Sequence, residues 1–166
     1  MARVRQTNAT TFDISSTRVI TRITRALLLA TFVGITQLTL ENFTIGLNPF
    51  TGFVQRHSTS LKSLSLENLE LFDTDDPTSQ IFVSMPKLLQ AIHGEASLDH
   101  LHLQGTFTSI TGTRLQCGLP EQGSLLHAVE EYVCHRCEAF PLEIVRFIAE
   151  DSPGSRICRP TLWSTR

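Results

Sequence analysis

The 166-residue sequence has almost no net charge, one Trp and one Tyr against ten Phe, and no long apolar run. A net charge of −2 provides no basic surface of the kind that marks nucleic-acid-binding proteins, so we expect no nucleic-acid partner. The apolar run 26–35 is too short to span a bilayer and starts too late for an ordinary signal sequence. With 41% hydrophobic and 18% charged residues, the composition is typical of one globular domain.

Cysteine is absent from the first two thirds of the chain and occurs only at positions 117, 134, 137 and 158. A secreted disulfide scaffold would distribute its cysteines along a short chain, so we expect reduced thiols and an intracellular protein, cytoplasmic or nuclear. Residues 1–25 carry five arginines and one acidic residue, which is also the composition of a mitochondrial presequence. The alternative for this region is a helix with one charged face, running from Ser15 to Phe32.

Motifs of known catalytic centres are also missing from the sequence. It contains no G-x-S-x-G, P-loop, dinucleotide-binding fingerprint or H-E-x-x-H. Glu130 and Glu131 lie where a helix would have its solvated face, and His100 and His102 lack a third ligand placed beside them by sequence. We therefore expect no enzymatic activity and no cofactor.

Cys134-His-Arg-Cys137 has the spacing of a zinc knuckle. The residues that could complete such a site are Cys117, His127, His135 and Cys158. No second knuckle occurs at short spacing, and the pair follows the apolar face of a helix predicted over Ser124–Val133. We expect ordinary thiols and no metal, and a small zinc- or thiol-dependent protein built around Cys134 and Cys137 remains the alternative.

Three segments share the frame apolar-x-x-Leu-x-Leu: ITQLTLENFTI from Ile35, LKSLSLENLEL from Leu61 and LDHLHLQGTFT from Leu98. They are offset by 26 residues (61 − 35) and 37 residues (98 − 61). The frame is that of a leucine-rich repeat, and it predicts a short strand with inward leucines that ends after Leu66 in the second segment. A turn whose apolar residues return to the core follows. Three unrelated amphipathic strands in a mixed α/β domain are the alternative.

The repeats depart from the family pattern at position nine of the frame. Phe43, Leu69 and Thr106 stand where an Asn is expected, whereas Asn42 and Asn68 come one residue early. The ladder of buried Asn side chains that these proteins share is therefore in doubt.

Helical spacing between the frames predicts helices over 48–58 and from Pro86 to Gly94, where the glycine ends the helix. A further helix is predicted over Thr21–Phe32, and the polar segment 73–80 predicts a loop. The predicted fold is α/β, a short irregular leucine-rich-repeat solenoid with a parallel inner sheet and helices on the outer side.

The predicted organisation has four parts. Residues 1–14 are disordered or variable, 15–111 form repeat units, 112–150 form a C-terminal helical cap, and 151–166 are a flexible tail. Three repeats are about the minimum for independent stability, so we expect the chain to be a piece of a longer protein.

Three stretches combine repeat and helix in a recognisable way: Gln55-RHSTSLKSLSLENLEL, Leu88-LQAIHGEASLDHLHLQG and Val129-EEYVCHRCEAFPL. Through them, residues 20–142 resemble the leucine-rich-repeat-like region of fungal F-box proteins. The resemblance implies a substrate receptor of a cullin-RING ubiquitin ligase, in which the F-box binds the ligase adaptor and the repeats capture the substrate. The N-terminus lacks the Leu-Pro-x-Glu opening of an F-box. Residues 140–151 resemble an F-box helix, and a short amphipathic helix that caps the solenoid is the alternative.

Inward leucines leave alternate residues of each strand on the concave side, where solenoids usually bind partners. The nine residues are Gln37, Thr39, Glu41, Ser63, Ser65, Glu67, His100, His102 and Gln104. Glu41 and Glu67 fall in adjacent strands, which favours a basic or hydrogen-bonding protein partner, such as a ubiquitination substrate. A merely solvated sheet face and a truncated product without independent function are the alternatives.

Overall fold

The computed structural model describes residues 2–8, 11–16, 28–73 and 75–141. Within these residues there are eight strands and three helices of two or more turns. The strands are β1 (Ala2–Asn8), β2 (Thr11–Ser16), β3 (Gln37–Glu41), β4 (Thr44–Gly46), β5 (Ser63–Glu67), β6 (Glu70–Phe72), β7 (His100–Ser109) and β8 (Arg114–Cys117). The helices are α1 (Leu47–Arg56), α2 (Ile81–Glu95) and α3 (Gly123–Val133), the last preceded by a 3-10 turn, Pro120–Gln122.

The strands form a curled, mainly parallel sheet in the order β1-β2-β3-β5-β7-β6-β4, with β8 paired to β7. The neighbouring strands in the series β2-β3-β5-β7-β6-β4 are all parallel to each other. β1 is antiparallel to β2, and β8 is antiparallel to β7. Helices connect β4 to β5 and β6 to β7, as parallel crossovers require. The predicted α/β class with a parallel sheet is thus confirmed.

The three predicted frames lie side by side in this sheet. Leu38 is opposite Leu64, and Leu64 is opposite Leu101. The next inward position repeats the arrangement with Leu40, Leu66 and Leu103. All six leucines are buried, because alternate residues of a strand point to the same face.

Each unit bends at a residue with a positive φ, directly after its first strand segment. Asn42 (φ 59°), Asn68 (φ 50°) and Gly105 (φ 79°) occupy this corner. Asn and Gly are the residues that tolerate this conformation best. The early Asn of the frame is therefore a corner residue, and the predicted end of the second strand after Leu66 was one residue short of its end at Glu67.

The third corner contains one extra residue. Glu67 pairs with Gln104, an offset of 37 (104 − 67), whereas Glu70 pairs with Thr108, an offset of 38 (108 − 70). The insertion places Phe107, rather than Thr106, in the buried position after the corner. This is the effect expected of a β-bulge, in which one added residue redirects the side chains that follow it.

A single hydrophobic core lies between the sheet and the helices. From the helices it receives Phe50, Phe53, Val54, Ile81, Met85, Leu88, Leu89, Ile92, Leu125, Val129, Tyr132 and Val133. The helix predicted from Ser124 is confirmed, with its first residue at Gly123. The predicted helix 48–58 is confirmed as α1, from Leu47 to Arg56.

The prediction that the second helix starts at Pro86 and ends at Gly94 was wrong. It begins at Ile81, because Ile81 and Met85 are buried and extend the same apolar face. Pro86 therefore lies inside the helix, where it forgoes one backbone hydrogen bond. Gly94 lies in the last turn, and the helix ends at Glu95.

The two ends of the predicted organisation also differ. Residues 1–14, expected to be disordered or variable, contain β1 and most of β2. β2 is a fourth parallel strand, with Phe12 opposite Leu38 at an offset of 26 (38 − 12). Ser15 is in β2 and residues 30–32 are not helical, so the predicted helix from Ser15 to Phe32 does not extend over these positions. The first element of the cap predicted for 112–150 is a strand, β8, which forms an antiparallel hairpin with β7. Residues 17–27, residues 142–150 of the predicted cap and the tail 151–166 lie outside the described residues, and with them lies all but the start of the segment 140–151 that resembles an F-box helix.

Candidate functional site

Nine polar residues form a three-by-three array on β3, β5 and β7, called here the polar sheet face. Its three rows across the strands are Gln37–Ser63–His100, Thr39–Ser65–His102 and Glu41–Glu67–Gln104. None of the nine is buried, and they alternate with the buried leucines of the same strands. The structure thus brings together every residue that the sequence placed on the concave surface. By backbone register, Asp13 of β2 lies next to Thr39.

Two carboxylates occupy neighbouring positions in the third row. Asn42 Nδ2 donates to Glu41 Oε1 at 3.1 Å, and Ser65 Oγ donates to Glu67 Oε1 at 3.1 Å. In the described part of the chain, neither carboxylate forms an ion pair with Lys or Arg. Like charges side by side on adjacent strands destabilise a sheet, so an incoming cation or hydrogen-bond donor would relieve this repulsion.

The two histidines of the polar sheet face are both exposed. His102 Nε2 lies 3.0 Å from Gln104 Oε1, and His100 Nδ1 lies 3.4 Å from Glu130 Oε1. Over the described ranges, no group of three or more His, Cys, Asp or Glu is arranged to hold a metal ion.

The described cysteines are free thiols in three different environments. Burial raises the pKa of Cys117 to about 12, and burial also raises the pKa of the half-buried Cys134. Cys137 is exposed, with its Sγ 3.8 Å from the carbonyl oxygen of Ala139. Because the thiolate is both the nucleophile and the metal ligand, burial disfavours either role for Cys117 and Cys134.

A groove that the sequence did not reveal lies between β7 and α3. We call it the edge groove; its volume is about 450 Å³. It is lined by Leu101, His102, Leu103, Gln104, Gly118, Gly123, Leu126, His127 and Glu130. Glu130, predicted to lie on a solvated helix face, is half-buried here, and its Oε1 accepts a hydrogen bond from the backbone N–H of Leu101 at 3.4 Å. Only the tertiary contact between α3 and β7 brings these residues together.

Comparisons with models of known protein families, with curated proteins and with solved structures gave no match to this chain. Among the described helices, none combines the length and the apolar character needed to cross a membrane.

Proposed function

We propose that the chain is a protein–protein interaction module, folded as a short irregular leucine-rich-repeat solenoid whose concave side carries the polar sheet face. One observation carries this proposal: nine unburied polar side chains lie in register across three parallel strands, opposite a common core. Repeat proteins use such extended sheet surfaces to bind partners. The corner residues support the repeat, since they recur at the same place in each unit.

Within this proposal, the resemblance to F-box proteins assigns the chain to the substrate-recognition region of a ubiquitin ligase receptor. The Arg-His-Ser motif that contributes to the resemblance has a structural role that fits a stacked unit. Arg56 Nη2 donates to the carbonyl oxygen of Leu28, and the buried His57 accepts from the backbone N–H of Phe32 at 2.9 Å through Nε2. These two hydrogen bonds hold the segment that precedes β3 against the C-terminal end of α1.

The size of the polar sheet face limits the kind of contact it makes. Two strand spacings and four residue rises give roughly 10 Å by 13 Å. A standard protein interface buries about 800 Å² on each partner, so this array accounts for the centre of an interface or for a single docked segment. The paired carboxylates favour Arg or Lys in that segment.

The test places a photo-crosslinking amino acid at Ser65, in the middle of the array, and separately at Gln90, an exposed residue of α2. A partner that binds the polar sheet face is expected to crosslink from Ser65 and not from Gln90. Its affinity is then measured for the double variant Glu41→Lys/Glu67→Lys, which we expect to bind at least about tenfold more weakly.

The matched control is Glu121→Lys/Glu138→Lys, which makes the same change in net charge at two exposed residues outside the array. This control should bind like the wild-type chain. Equal affinity of the wild type and the Glu41→Lys/Glu67→Lys variant would exclude the polar sheet face as the binding surface. A separate pull-down tests the F-box role. That role would be supported if the full chain recovers the ligase adaptor and a variant with residues 140–151 replaced does not.

A further inference from the structure

Among the described residues, no strand pairs with one edge of β7 along its first half. His100 donates its N–H to the carbonyl oxygen of Lys62 at 3.1 Å, and the carbonyl oxygen of Gln104 accepts from Asn68 N–H at 3.2 Å. Even-numbered residues of this segment therefore bond to the β5 side. Because backbone groups alternate between the two sides of a strand, Leu101 and Leu103 direct theirs to the opposite edge.

This free edge forms a wall of the edge groove. From Gly105 onward the same edge is occupied by β8, whose last residue, Cys117, pairs with Gly105. The chain then turns away at Gly118, which has a φ of 87°. The groove thus lies where a strand beside β7 would continue in line with β8, and α3 forms its other wall.

The lining of the groove suits a peptide with a positive charge. Backbone groups of Leu103 provide a donor and an acceptor, and Leu126 adds an apolar contact. Among the described residues that line the groove, Glu130 is the only Asp or Glu, and none is Lys or Arg. Glu130 Oε1 accepts from Leu101 N–H at 3.4 Å and lies 3.4 Å from His100 Nδ1; both contacts are long, so an incoming cation can compete for the carboxylate.

We propose that the edge groove binds an extended peptide segment of a partner protein, which pairs with β7 as an additional strand and places a Lys or Arg at Glu130. Strand addition of this kind obtains affinity from main-chain hydrogen bonds and selectivity from alternate side chains. An open strand edge in a groove of this volume has the features that such recognition needs. The edge groove shares His102 and Gln104 with the rim of the polar sheet face, but its binding of a strand does not depend on the function proposed for that face.

The test uses the full ¹⁵N-labelled chain and two capped synthetic peptides that copy its own strands, LKSLSLENLEL (61–71) and ITQLTLENFTI (35–45). We expect both to bind, to shift the amide signals of Leu101 and Leu103, and to slow exchange of the Leu103 N–H by at least about tenfold. The first peptide carries a Lys and should bind about threefold more tightly than the second, which has no basic residue. In Glu130→Gln, whose amide oxygen can still accept from Leu101, this difference should disappear.

Two helix glycines provide a matched pair of variants. A side chain at Gly123 or at Gly94 would enter open space, but only Gly123 lines the groove. Gly123→Phe should weaken binding at least about tenfold, and Gly94→Phe should leave it unchanged. Peptides N-methylated at the alternate residues whose N–H groups face β7 lose those main-chain donors and should not bind.

Three results would overturn the proposal: no binding of either peptide up to about 1 mM, equal binding of the N-methylated peptides, or equal binding by Gly123→Phe. Amide shifts confined to Ser63 and Ser65 would also overturn it, since they would place the peptides on the polar sheet face. None of these results bears on the Glu41→Lys/Glu67→Lys test, so the two proposals fail independently.

Discussion

Replacement of Gly105 by alanine tests the corner of the third unit. Gly105 has a φ of 79°, and a Cβ at this position would collide with the side chain of Asn68, whose Oδ1 accepts a hydrogen bond from Thr106 N–H at 2.9 Å. The left-handed conformation costs alanine about 1–2 kcal/mol. Displacement of Asn68 adds about 1 kcal/mol for the lost hydrogen bond. We expect Gly105→Ala to lower the free energy of unfolding by about 2–3 kcal/mol.

The assay is urea unfolding followed by circular dichroism, with Gly112→Ala as the control. Gly112 has a similar φ of 83° but open space around the position of a Cβ, so it should show the conformational cost alone. The difference between the two variants isolates the collision with Asn68. A double-mutant cycle of Gly105→Ala with Asn68→Ala should show a coupling of about 1 kcal/mol. Equal destabilisation by both glycine variants, together with zero coupling, would refute the proposed role of the Asn68 side chain.

Three further predictions concern charge and thiol chemistry. Glu67→Gln should raise the stability by about 0.5 kcal/mol at low salt, because it removes repulsion from Glu41, and the gain should shrink with added salt, as measured by urea unfolding. Lys87, 2.6 Å from Asp73, holds the pKa of the Asp73 carboxyl below its ordinary value of 3.8. This contribution is complete above that value and is lost as pH falls below it, so Asp73→Asn should lower Tm at neutral pH and flatten the acid side of the profile. Cys117 should resist alkylation by iodoacetamide at about pH 8 until the protein unfolds, and mass spectrometry showing rapid native modification would contradict its burial.

The part of the fold that could be predicted from sequence is the part specified by local pattern. Leucines spaced by two, followed by a bend, predict strands, and the common frame predicts that those strands lie beside each other. The nine residues of the polar sheet face follow from the same alternation. The early Asn42 and Asn68 were recognised as a departure, but their role as left-handed corners depends on backbone angles that residue spacing does not specify.

What could not be predicted depends on contacts between distant segments. β2 has the alternation Phe12-Asp-Ile14 but none of the leucines of the frame, and only its pairing with β3 makes it a fourth strand. The start of α2 was hidden because Pro86 suggests a first turn, whereas burial of Ile81 outweighs the lost hydrogen bond. The edge groove requires α3 to lie beside β7, which no local pattern indicates.

The loop between β6 and α2 makes the chain tolerant of added length. Segment 37–46, which contains β3 and β4, has the same length as segment 63–72, which contains β5 and β6. The unequal offsets of 26 and 37 residues between the three leucine frames therefore arise outside the sheet, in the loop 73–80 and the longer α2. Asp73 closes this loop at its base through Lys87, and residues 75–78 are exposed. An affinity tag or a fluorophore inserted after Asp76 would therefore extend the loop without moving any strand out of register. No residue of this loop belongs to the polar sheet face or to the lining of the edge groove, so a label here replaces none of the residues proposed to bind.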